Sequence, residues 1–440
     1  MATLPWNPSS TYRVQSRVSK IPWTVRIAIL LFILSIVRVV ERDGLSHDVG
    51  GQGFVQFFSA VLAAVMTSGV LWRRKTIPKF DGYDAAILGF ACLTLLSAIR
   101  SFWPLLSVAK TCAFLSVFLA AAFSCARVGA QNVFRLLYAS IVALLCLGLI
   151  LGALGAFPLF SADDYSGRTR FSMFALHPGV IADLCAYCIL MSRFFPQKPP
   201  RLLTAALLVM NVLTSAKTSF IALTIAWFVS AALWRRITLR GLAIGILGFT
   251  GAALSGWIVL NSLDPRWLSN GPLATLYGTN LTEEVTTVNG RVDLWKSTAP
   301  LAYSSLVLGH GFDGVREALM GKFEWAGNSH NSVLELVLAA GVPGACLYLL
   351  AWGLAIRRAT HARDPHRTRV LGIHVYFLVT SISAPIWTTS QFVALFVLTV
   401  LNAAAREYQE DGGAVPTPAL VRARKRPSPF GILQLEVPRN

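Results

Sequence analysis

The sequence predicts an all-α protein, a polytopic membrane helical bundle of about 12 transmembrane helices with one large outward loop. Three observations lead there. Of the 440 residues, 55% are hydrophobic and 14% are charged, whereas a soluble domain carries about a quarter charged residues. The mean hydropathy is +0.58. Apolar runs of roughly 17–25 residues, the length that crosses a hydrocarbon core, recur along the whole chain.

These runs fall at roughly 24–40, 53–72, 84–99, 103–126, 132–155, 172–194, 202–216, 218–234, 241–260, 332–356, 368–385 and 387–404. The third and seventh are short, so eleven spans also fit. Residues 1–23 form a basic cytoplasmic arm, and 24–260 hold the first nine helices. A large loop with short helices covers 261–331, helices ten to twelve follow over 332–404, and 405–440 is a basic tail. The first run follows basic residues but lacks a small-residue cleavage site, so it reads as an uncleaved span. The tail carries Pro416, Pro418, Pro427 and Pro429 among its arginines and reads as a mobile cytoplasmic segment.

The net charge of +18 resembles a nucleic-acid signal, but its distribution excludes that reading. With the N-terminus in the cytoplasm, most lysines and arginines fall on the cytoplasmic side, the bias that orients membrane helices. Clusters such as Arg73-Arg74-Lys75, Arg235-Arg236 and Arg357-Arg358 are then topology anchors against anionic lipid. Membrane lipids are partners; nucleic acid is not. All seven cysteines lie inside spans, so no disulfide framework is indicated, and no Cys/His spacing suggests a metal site. Cys185 and Cys188 read as small core residues.

The loop and its re-entry into the membrane hold the residues that can carry chemistry. Gly309-His310-Gly311-Phe312 is followed by Ser329-His330-Asn331-Ser332 and by Gly341-Val342-Pro343-Gly344. Ser332 with Glu335 reads as a capping box. His330 then sits at the positive end of the tenth helix, which disfavours imidazolium and leaves a neutral ring able to take a proton. Asn331 is placed to orient that ring or a substrate hydroxyl. Arg291, with Trp295 and Lys296 close behind, offers a guanidinium that binds phosphate bidentately. Arg168, Arg170 and Lys217 are further cations on the outward side, where the charge bias disfavours them. Each such residue alone is more often a solvated surface group; three outward cations and a neutral histidine are what a pyrophosphate-bearing lipid requires. Lys110 and Asp183 lie within spans and are expected to form one buried structural pair.

Gly290-Arg291-x-x-x-Trp295, Gly309-His310-Gly311-Phe312, His330-Asn331-x-x-Leu334 and Gly341-x-x-Gly344 together resemble the signature of bacterial O-antigen ligases and O-antigen or exopolysaccharide polymerases. Arg170-Phe171 with His177-Pro178 resembles an upstream element of that family. Ser215 to Leu223 resembles its Ser-x-Ser-Arg helix start, with Lys217 where the family has arginine, so a charge is kept and the bidentate fork lost. The resemblance covers roughly 160–350. It implies a multi-pass protein of the bacterial inner membrane with its active face periplasmic. It also implies a glycosyltransferase that moves an undecaprenyl-pyrophosphate-linked glycan donor onto a glycan or lipid A-core acceptor, without a metal or other cofactor. In that chemistry His330 is the base, Arg291 and Arg170 hold the pyrophosphate, and Lys217 or Arg168 assists. The wording around Arg291 leans slightly towards exopolysaccharide polymerases.

Two other classes compete. A transporter or flippase for lipid-linked sugar predicts interrupted helices with several ionisable groups at mid-membrane, where only Lys110 and Asp183 qualify. A non-catalytic assembly protein of the cell envelope predicts the same polar side chains scattered.

Overall fold

The computed structural model describes residues 21–34, 58, 61, 62, 65, 80–163, 168–174, 176–195, 198–234, 291–323, 327–362, 366–382, 384 and 392–413. Helices dominate them. In chain order these are α1 (Trp23–Leu34), α2 (Gly82–Ser97), α3 (Pro104–Val128), α4 (Ala130–Ala153), α5 (Pro178–Met191), α6 (Arg201–Leu213) and α7 (Lys217–Trp234). After them come α8 (Arg291–Tyr303), α9 (Arg316–Met320), α10 (Ser332–His361), α11 (His366–Ser381) and α12 (Val393–Gly413). This is an all-α membrane protein.

Among the described residues, four stretches are long and apolar enough to cross a membrane: Gly82–Arg100, Pro104–Val128, Ala130–Ala153 and Ser332–His361. These four do not by themselves confirm the twelve expected spans. The run 241–260 and nearly all of 53–72 lie outside the described residues. The run 172–194 shortens to a helix beginning at Pro178, because the chain before it pairs as a hairpin. In that hairpin β1 (Phe160–Asp163) runs antiparallel to β2 (Arg168–Phe171), with Ser161 opposite Arg170 and Asp163 opposite Arg168.

Burial follows the apolar faces. Phe90 of α2, Phe114 of α3, Phe312 of the loop, Tyr348 of α10 and Phe392 before α12 form one aromatic cluster, with ring centroids 5.1–6.4 Å apart. Such edge and tilted contacts suit aromatic quadrupoles. At one end of the bundle Asp81 caps α2 by accepting from the Tyr83 N–H at 2.8 Å. The same carboxylate binds Arg358 near the end of α10 at 2.8 Å and Arg406 of α12. Arg358 also donates to Asn402 at 2.7 Å. The cluster ties three helices together and fixes α2 antiparallel to α10.

The opposite end is shaped by a break in α10. Gly341 has φ +68°, ψ −178°, a conformation open to glycine and strained for other residues. Pro343 has no N–H, and the Val342 N–H turns away to Leu306 O at 2.7 Å. The carbonyls of Leu338 and Ala339 therefore lose their helical partners, and in a membrane an orphan carbonyl costs several kcal/mol. The loop supplies the missing donors: His310 N–H reaches Leu338 O at 2.6 Å and Gly311 N–H reaches Ala339 O at 2.9 Å. A Cβ on Gly309 would stand 2.5 Å from the α10 backbone, and one on Gly341 would stand 2.5 Å from Val307 O. The two glycine motifs thus dock on each other. His310 itself contacts Leu301 O through Nε2 at 3.2 Å, so this histidine braces the loop.

The expected Lys110–Asp183 pair does not form. Lys110 on α3 pairs with Asp313 of the loop. Asp183 on α5 accepts from Tyr376 of α11, whose hydroxyl lies 2.7 Å from Ser219 Oγ of α7. Helix position explains the exchange: Lys110 faces the loop that fills the α10 break, and Asp183 faces two hydroxyls inside the bundle.

Candidate functional site

The site is built on the turn that enters α10. Ser329 is fully buried, and its N–H donates to Glu335 Oε2 at 2.9 Å. Its Oγ lies 2.7 Å from the same oxygen. From below, Trp295 on α8 donates its indole N–H to Ser329 O at 3.0 Å. His330 follows with φ +49°, its N–H held by Asn328 Oδ1 at 3.0 Å. A non-glycine residue at positive φ is a strained state that surrounding contacts must impose. Here Glu335, Trp295 and Asn328 impose it.

The helix cap lies one residue earlier than the expected Ser332–Glu335 box. Asn331 is extended, at φ −143° and ψ 124°, and its Oδ1 accepts from the Leu334 N–H at 3.0 Å. Ser332 is already helical and donates instead to Ala384 O at 2.6 Å. Glu335 reaches back past the cap to Ser329. The Asn331 amide also donates to Ile382 O at 3.2 Å, so both ends of that side chain are engaged with backbone. Asn331 and Ser332 thereby stitch the His330 turn to the end of α11.

The His330 imidazole is pushed down to about 3, first by burial and then by the positive charges of Arg291 and His177. Arg291 opens α8, is half-buried, and is itself pulled below its ordinary value by burial. Among the described residues no carboxylate meets its guanidinium. His177 caps α5, its Nδ1 accepting from the Gly179 N–H at 3.1 Å.

The remaining expected cations come from the same end. Lys217 begins α7, half-buried, after a tight turn in which Ser215 takes φ +54°. Arg170 is half-buried on β2, and that strand packs against α6, which leads to the Lys217 turn. Arg168 lies two residues earlier on the strand. Lys296, by contrast, is exposed and pairs with Asp293 at 3.2 Å, a helix-surface contact. The sequence singles out His177 only within the family-like His177-Pro178 element, and it gives Arg316 no chemical role.

Residues 202–349 match the family model described as O-antigen ligase. This segment is an O-antigen ligase domain. It contains Lys217, Arg291, Trp295, His330 and both docked glycine motifs, while Arg168, Arg170 and His177 lie upstream of it. No curated protein matches the chain. Taken with the apolar helices, the O-antigen ligase domain supports a multi-pass membrane protein of glycan-ligating type, and it implies lipid-linked glycan and acceptor as the general class of partners.

Proposed function

We propose that the protein transfers a glycan from an undecaprenyl-pyrophosphate carrier to a sugar hydroxyl at the periplasmic face of the bacterial inner membrane. The observation that supports this best is the strained, half-buried His330 at the mouth of α10, whose neutral form is favoured by burial and by the Arg291 charge, inside the O-antigen ligase domain. In this reading the acceptor oxygen attacks the anomeric carbon, and the bond to the lipid pyrophosphate breaks with its electron pair leaving on phosphate oxygen. The hydroxyl proton passes to a His330 ring nitrogen and then to water. Arg291 and Arg170 hold the pyrophosphate, with Lys217 or Arg168 assisting. Guanidinium groups offset the charge that develops on the leaving group, so the scheme calls on no metal or other cofactor.

The low proton affinity of His330 fits a substrate-gated base. Arg291 is one of the charges that depress it, and a bound pyrophosphate offsets that charge, raising proton affinity only when donor is seated. Trp295 and Asn331 serve by fixing the turn, a positioning role for residues that the sequence reading placed in substrate contact.

The test is deletion of the protein followed by electrophoresis of cell-surface polysaccharide. Capped lipopolysaccharide lost while lipid-linked polymer accumulates assigns a lipid A-core acceptor, hence a ligase. Accumulation of single lipid-linked repeats assigns a growing glycan as acceptor, hence a polymerase. A surface glycan profile unchanged by deletion removes the reading.

A further inference from the structure

We propose that Arg316 binds an oxyanion of the substrate, a phosphate or a carboxylate, on the flank of the 327–331 turn. This rests on the glycosyl-transfer reading and adds a second anion contact to it. Arg316 opens α9, a short helix whose place is fixed by Val315 and Leu319, packed with Leu294 and Leu338 in a separate small core. Its guanidinium lies against Gly327: a Cβ there would stand 3.3 Å from Cζ and 3.4 Å from Nη1. Any side chain at 327 would therefore press on the cation, and the turn that carries His330 begins in contact with it.

Glu317, the next residue, is exposed on the same helix, and three other acids of the loop and the α10 entry are engaged elsewhere. Asp313 pairs with Lys110, Asp293 with Lys296, and Glu335 with Ser329. Among the described residues no carboxylate or other acceptor meets the Arg316 side chain, although it is half-buried and burial pulls it below its ordinary value. A desolvated guanidinium held rigid without a counter-charge is stabilised by an incoming oxyanion, which its planar fork suits. Arg316 meets the turn at Gly327, three residues before His330. Arg316 thus addresses a part of the substrate away from the bond being exchanged. That part is either the far phosphate of the lipid carrier or an acidic group on the acceptor glycan.

Isothermal titration of the full-length protein in detergent separates these sources, with inorganic pyrophosphate as one probe and trigalacturonate as the other. The Arg316→Gln variant should bind one probe roughly tenfold or more weakly than wild type, the size of one charge-assisted contact, with Arg316→Lys falling between. Loss on pyrophosphate assigns the donor, and loss on trigalacturonate assigns the acceptor. Undiminished binding of both probes by Arg316→Gln overturns the proposal, as does wild-type protein that binds neither. If Arg316→Gln elutes aggregated, Arg316→Lys decides, and unchanged affinity for both probes is again fatal. Unchanged binding by the Arg316 variants leaves the main reading standing, since that reading is decided separately by the surface glycan profile after deletion of the protein.

Discussion

His330 combines an uncommon backbone angle, a half-buried ring and a proton affinity lowered by the Arg291 charge, and each has a consequence that can be measured. His330→Ala should lower glycan transfer about 10²–10⁴-fold, the usual contribution of a positioned base, while the circular dichroism of the purified protein stays unchanged. The pH dependence has a definite sign. With its pKa pushed down to about 3, the free protein holds His330 neutral throughout the ordinary range. The kcat/KM profile should therefore show no acid limb from His330 between about pH 8 and about pH 5. A limb near 6.5, the ordinary histidine value, would contradict the buried environment. Donor binding offsets the Arg291 charge, so any limb in kcat should lie at higher pH than the one in kcat/KM. Histidine placed before the tenth helix was legible from the sequence as a neutral base candidate. The cause was not: burial comes first and the Arg291 charge second, and both depend on how separate elements pack.

Helix α10 shows how one element creates the site. Its break at Gly341 and Pro343 releases two carbonyls, and the Gly309–Gly311 segment satisfies them, bringing α8, α9 and the Trp295 indole beneath the His330 turn. Gly341→Ala should be severely destabilising. The alanine would pay about 1–3 kcal/mol for a backbone conformation that is essentially glycine-only and would meet Val307 O at 2.5 Å; loss of monodisperse protein on size exclusion is the expected readout. Trp295→Phe keeps the packing and removes one hydrogen bond to Ser329 O, about 1 kcal/mol. It should reduce turnover while leaving pyrophosphate affinity near wild type, and a variant with wild-type turnover would show that the indole only packs. The sequence marked both glycine motifs as important and read them as near the chemistry. Their work is to lock loop to helix, which no spacing rule reveals, because the partner of each freed carbonyl lies about thirty residues away.

Across the whole molecule the two ends of the bundle divide the labour. One end is clamped by Asp81, Arg358, Arg406 and Asn402, and the other carries the His330 turn, the Lys217 turn and the hairpin of Arg170. Asp81→Ala leaves two guanidiniums without their shared carboxylate. It should lower stability by about 1–3 kcal/mol, between exposed and buried pairs, seen as a lower thermal midpoint in detergent with the intrinsic transfer rate retained. Hydropathy and charge asymmetry determined the class by themselves, because the cost of an exposed backbone or a charge in hydrocarbon constrains every residue of a span independently of its neighbours. The family signature was legible for the related reason that its glycines and polar residues cluster along short stretches. Lys110 joining Asp313, Asp183 joining Tyr376, the cap at Asn331 and the charges gathered around His330 were decided only by tertiary structure. Each depends on which helix face meets which, and helix packing, unlike helix formation, is a property of pairs of distant segments.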